Sequence, residues 1–88
     1  MKAKDSFTLK EIGGITMIVP TGNDETTFSA MITVNSVGAF IWKILEQGAD
    51  EEEIVKALTE HFEVDEQRAA TDTAVFLEKL DNAGLIDK

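Results

Sequence analysis

Cysteine is absent from this 88-residue chain, so disulfides and thiolate metal sites are excluded. A cysteine-free chain fits a reducing compartment, and a cytoplasmic location is expected. Basic residues are also scarce: eight Lys and Arg stand against seventeen Asp and Glu, for a formal net charge of −9. A phosphate backbone needs Lys and Arg on the contacting surface, so this balance argues against nucleic acid. Anionic membranes are disfavoured for the same reason. No apolar run approaches the roughly 18 residues that would span a bilayer. Two lysines near the N-terminus have no apolar segment behind them, so no signal peptide is expected. Linkers, internal repeats and low-complexity segments are lacking too. The chain reads as a single domain, 1–88, near the lower size limit for folding without staples.

The first third is strand-like. Phe7 to Ile12 alternates apolar and polar residues for most of its length. The pair Gly13-Gly14 tolerates positive φ, and Ile15 to Val19 forms a second strand that the sole proline, Pro20, stops. A hairpin is expected. After a polar loop from Thr21 to Glu25, strand composition resumes from Thr26 to Val34. There Phe28, Ala30, Ile32 and Val34 are expected to face a core, while Ser29, Met31 and Thr33 face away.

Three helices are expected next. Asn35 is a good N-cap, and Val37, Phe40, Ile41, Ile44 and Leu45 recur at helical spacing up to a stop at Gly48. Trp42 falls at the margin of that stripe. Asp50 with Glu53 resembles a capping box, and three acids in the first turn suit the helix dipole. Ile54, Val55, Leu58 and Phe62 form the second stripe. A third helix begins at Val64-Asp65, buries Ala69, Thr73, Phe76, Leu77 and Leu80, and ends at Gly84 before an apolar tail, Leu85-Ile86. The fold class is α+β and winged-helix-like: a three-stranded antiparallel sheet followed by three helices.

That outline usually suggests DNA binding, which stays open as an alternative beside other protein-interaction roles. Charge opposes it. From Glu46 to Glu66 nine carboxylates face a single base, Lys56. The exposed side of the third helix carries Asp65, Glu66, Asp72, Glu78 and Asp81 against Arg68 and Lys79. A recognition helix would bring that excess of acid against phosphates. Catalytic chemistry is as poorly represented. His61 is the single histidine and suits the end of the second helix. A metal site needs several converging ligands, and no nucleophile–base arrangement is apparent. An enzyme, a cofactor and a bound metal are not expected.

The run Val34-Asn35-Ser36-Val37-Gly38-Ala39-Phe40-Ile41-Trp42, then Gly48-Ala49 before Asp50-Glu51-Glu52-Glu53-Ile54, then Val64-Asp65 and the closing Phe76-Leu77, Leu80 and Ala83-Gly84-Leu85-Ile86, resembles PqqD-like proteins. The likeness spans roughly Phe7 to Ile86 and lies in the order and spacing of these segments. It implies a peptide chaperone, named for pyrroloquinoline quinone biosynthesis and found in systems that make ribosomally synthesised, modified peptides. Such a domain binds the leader part of a precursor and presents the core part to a modifying enzyme, often a radical SAM enzyme. The leader adds beside the third strand, in the groove between that strand and the third helix.

The residues fit that implication. A strand that comes last in a meander has an unpaired edge, which invites strand addition. Thr27, Ser29, Met31 and Thr33 are the candidate contacts on it. On the third helix Arg68, Asp72, Val75 and Lys79 form a line at i, i+4, i+7 and i+11 beside the core stripe. Val75 is the apolar residue left outside that stripe, and the three charged residues are candidate partners for leader charges. Helix residues Ala69 to Thr73 are small or polar where a tighter apolar groove is expected. Val34 to Trp42 reads as scaffold. Partners are therefore a precursor peptide and a modifying enzyme, with no nucleic acid and no membrane, and the domain is expected to be a monomer or homodimer.

Overall fold

The computed structural model describes residues 1–21 and 32–87. Strand β1, Lys2–Ala3, is followed by β2, Phe7–Ile12, and β3, Ile15–Pro20. Gly13 (φ 59°) and Gly14 (φ 82°) make the tight turn between β2 and β3. Positive φ at both central positions matches the right-handed twist of a two-residue hairpin. Strand β4, Ile32–Val34, pairs antiparallel with β3, placing Thr16 opposite Val34 and Ile18 opposite Ile32. The sheet order β2-β3-β4 leaves β4 on an edge. Ile32 and Val34 are buried and Thr33 is exposed, in the alternation expected. The rest of the expected strand, with candidates Thr27, Ser29 and Met31, lies outside the described residues.

Helix α1, Ser36–Gln47, begins one residue after β4. Asn35 Oδ1 accepts the Gly38 N–H at 2.9 Å, and Gly48 (φ 90°) ends the helix. Helix α2, Glu51–His61, opens with a reciprocal capping box. Asp50 Oδ1 accepts from the Glu53 N–H at 2.8 Å, and Glu53 Oε1 accepts from the Asp50 N–H at 3.2 Å. Helix α3, Glu66–Asn82, is capped by Asp65, whose Oδ1 accepts the Arg68 N–H at 2.7 Å. Gly84 (φ 77°) turns the chain out of α3.

Two features depart from expectation. The tail after Gly84 is a strand, β5, Ile86–Asp87, which pairs antiparallel with β1 to form a second, two-stranded sheet. The Lys4 N–H extends this clasp to the Leu85 carbonyl at 3.0 Å. Trp42 is not marginal but fully buried, at 0% exposure. Helix α1 is enclosed by β1, β4 and α2, so its buried arc is wider than a one-sided stripe.

The core joins all these layers. Ile18 from β3, Ile41, Trp42 and Leu45 from α1, Ile54 and Leu58 from α2, Leu80 from α3 and Leu85 are essentially sealed from solvent. Each such side chain contributes about 1.5–3 kcal/mol of transfer free energy. The result fixes β4 against α1 and α1 against the helical pair, which sets the geometry of the site.

Candidate functional site

The hydrogen-bond parity of the sheet decides what β4 offers to solvent. In an antiparallel pair, opposed residues alternate between those that exchange N–H and C=O groups and those that turn them outward. The Thr21 N–H donates to the Ser6 carbonyl at 2.8 Å. With Phe7 opposite Pro20, the bonded pairs between β2 and β3 are then Thr8/Val19, Lys10/Met17 and Ile12/Ile15. Thr16, Ile18 and Pro20 turn their backbone polar groups the other way, toward β4, although Pro20 has no N–H to give. Val34 and Ile32, opposite Thr16 and Ile18, bond back to β3. Thr33 is left with its N–H and C=O directed away from β3, along an edge that no described strand covers.

Beside that edge lies a groove of about 630 Å3. One wall is α3, contributing Arg68, Asp72, Val75, Phe76 and Lys79; the other begins at Asn35, where β4 ends, and continues through Val37, Gly38 and Ile41, with Val64 at one end. All four α3 residues singled out from the sequence line this groove. Thr33 is on the adjoining edge.

Gly38 explains how close the walls come. A Cβ built there would stand 3.1 Å from Val34 Cβ and 3.2 Å from Phe76 Cε1. A glycine inside a helix costs about 1 kcal/mol relative to alanine. Here it admits β4 and α3 to the same point on α1. The stretch from Val34 to Trp42 is therefore scaffold and also one wall of the groove. The sequence signal for that wall was the helical glycine itself.

Groove chemistry is mixed. Arg68 Nε and Asp72 Oδ2 are 3.3 Å apart, an exposed i,i+4 ion pair, so these two charges largely answer each other. Lys79 is exposed and makes no ion pair among the described residues. Val75 is 64% exposed, one of three large apolar residues so exposed among the described residues; the other two, Ile12 and Ile15, are at the hairpin tip.

Volume does not single out this groove. A concavity of about 640 Å3 opens between α2 and α3, lined by Glu51, Glu52, Val55, Lys56, Thr59, Glu66 and Ala70. Its lining comes from two helices and no strand; the backbone groups left over there are first-turn N–H groups, such as those of Glu51, Glu52 and Glu66, not a strand ladder. The first groove begins where β4 ends, a strand with no partner on its outer side among the described residues, and the second touches no strand; that difference sets the first apart. His61 belongs to neither: its ring stacks on Phe40 at 4.5 Å and meets the edge of Phe62 at 4.9 Å. Among the described residues no three His, Asp or Glu side chains are grouped to hold a metal ion. No described helix is long and apolar enough to cross a membrane.

Residues 16–86 match the family model of coenzyme PQQ synthesis protein D (PqqD). The chain belongs to the PqqD family. The matched span includes β4 and the groove and reaches Ile86, the first residue of β5. Two solved structures share the PqqD-family fold seen here. TbiB1, in complex with the TbiA(beta) leader peptide, superposes with a TM-score of 0.74 at 28% identity, covering 99% of this chain and 95% of that one. Lasso peptide synthetase B1, complexed with the leader peptide, gives a TM-score of 0.70 at 18% identity, covering 96% and 93% respectively. At that lower identity the likeness is one of fold. No curated protein sequence matches the chain.

Proposed function

We propose that this PqqD-family domain binds the leader segment of a ribosomally made precursor peptide by strand addition to β4, and presents the remainder to a modifying enzyme, a radical SAM enzyme in this reading. The observation that carries it is the outward-facing Thr33 backbone beside a groove lined by Arg68, Asp72, Val75 and Lys79. An added strand takes affinity from backbone bonds at the edge and selectivity from side chains seated in the groove. The leader-peptide complex formed by TbiB1 on the same fold supports the choice of ligand. The domain's own part is binding and positioning, with the chemistry left to the partner enzyme.

Titration of the 15N-labelled domain with the leader region of a precursor encoded beside it tests the reading. Amide shifts are expected at Thr33 and along the Arg68–Lys79 face of α3. Shifts confined to the Glu51–Glu63 surface would overturn it.

A further inference from the structure

We infer that Lys79 is a specificity-determining residue, and that the strand taken up by the groove carries an acidic side chain two positions from an apolar one. This rests on the strand-addition reading above and adds the chemical class of the ligand to it.

The charges of the groove are not equivalent. Arg68 and Asp72 are committed to each other at 3.3 Å. Lys79 is the groove-lining cation without such a partner among the described residues. Glu78 is on a neighbouring face of α3 and does not line the groove. Glu78, beside Lys79 in the chain, shares a second concavity with it and forms no ion pair with it, and most of the remaining −9 charge is screened at physiological salt. An added strand that brings a carboxylate onto Lys79 pairs it at close range, in a groove that the strand itself partly closes to water.

The spacing follows from two geometries. Val75 and Lys79 are four residues apart on α3, which at 1.5 Å per residue is about 6 Å along the helix. Same-face residues i and i+2 of a strand are about 6.6 Å apart. A strand lying along α3 that seats one side chain on the apolar ground of Val75, Phe76 and Val37 therefore presents its same-face neighbour to Lys79. An apolar-x-acidic or acidic-x-apolar triplet fits, according to strand direction. From Arg68 to Lys79 the wall is about 16 Å long. That accommodates about five strand residues, so the triplet occupies most of one end and the Arg68–Asp72 pair faces the other.

A display library of random nine-residue peptides, panned on the wild-type domain and on Lys79→Glu, tests the inference. Wild type is expected to enrich Asp or Glu two positions from an aliphatic or aromatic residue. Lys79→Glu is expected to enrich Lys or Arg at the same spacing. For one acidic peptide resynthesised from the selection, Lys79→Glu should weaken binding about fivefold to tenfold, and a Lys substituted for its acid should restore most of that. Lys79 is exposed on α3, so the variant is expected to fold. Peptides enriched on wild type without an acidic preference, or with one that survives Lys79→Glu, would overturn this inference and leave strand addition standing. Thr33→Pro, which removes the outward N–H, should abolish capture of the same peptides. Capture that survives Thr33→Pro, or no capture by wild type, would overturn the strand-addition reading and this inference with it.

Discussion

Thr73 is fully buried on α3, and its hydroxyl meets no hydrogen-bond partner among the described residues. An unanswered buried hydroxyl costs about 1–3 kcal/mol. Valine has nearly the same shape without the polar atom, so Thr73→Val is expected to leave stability unchanged or to raise it by up to about 1 kcal/mol. A urea midpoint that falls instead would mean that the hydroxyl is satisfied. Gly38 behaves in the opposite way. With Val34 Cβ 3.1 Å and Phe76 Cε1 3.2 Å from the position of an added Cβ, a β-branched side chain has nowhere to go. Gly38→Val is expected to cost about 1–3 kcal/mol through overpacking, and to weaken peptide binding beyond what the fold loses by parting α1 from β4. Chemical denaturation beside peptide titration separates the two effects. Gly38 also marks a limit of the sequence at this scale. Its presence inside a helical pattern is visible, but which two elements it admits is a matter of three-dimensional neighbours.

The elements were legible in proportion to how local their causes are. Asn35, Asp50 with Glu53, and Asp65 cap helices through bonds to residues three positions away, and each cap is where the sequence puts it. The Gly13-Gly14 hairpin is equally local. The β1–β5 clasp was not legible: it joins Lys2–Ala3 to Ile86–Asp87, and two-residue strands are too short to show a period. On α3 the four groove residues could be read as a line, because helical spacing alone aligns them. Their far wall on α1 depends on packing. For β4 the alternation of Ile32, Thr33 and Val34 was readable, but which backbone groups face outward required the parity of the whole ladder. That parity makes a sharp prediction. Thr33→Pro removes an N–H that no strand among the described residues uses, so the fold should persist, as proline is tolerated on the open side of an edge. Peptide binding should be lost, while Thr33→Val, which keeps the N–H, should retain it. In Met17→Pro the lost N–H is one that bonds to Lys10, and the domain itself should be destabilised. Circular dichroism melts with peptide titrations check all three. A Thr33→Pro variant that binds normally would show that the added strand does not use this edge.

At the scale of the whole molecule the dominant quantity is charge. Seventeen acids against eight bases leave the domain at −9, and the acids are concentrated along α2 and its flanks. Compacting like charges is unfavourable, and salt relieves it by screening. Two of these acids also sit against their helices. Glu46 lies in the last turn of α1, which has no basic residue there, and Glu60 lies in the last turn of α2. Each faces the negative end of a helix dipole, where an acid is disfavoured by about 0.3–1 kcal/mol at low ionic strength. Both are exposed and neither lines the groove. Melting at pH 7 should therefore move upward between about 10 mM and about 200 mM NaCl, by several degrees, since about 1 kcal/mol shifts the midpoint of a domain this size by about 4–8 °C. The double variant Glu46→Lys, Glu60→Lys takes the net charge from −9 to −5, two units for each reversal. It should melt higher than wild type at low salt and respond less to added salt, with binding of an uncharged peptide unaltered. If the wild-type midpoint is flat or falls with salt, self-repulsion is not a significant term in this domain. If instead the double variant gains stability but keeps the full salt response, the two helix ends supply the gain, and the −9 field acts on what approaches the domain rather than on its fold.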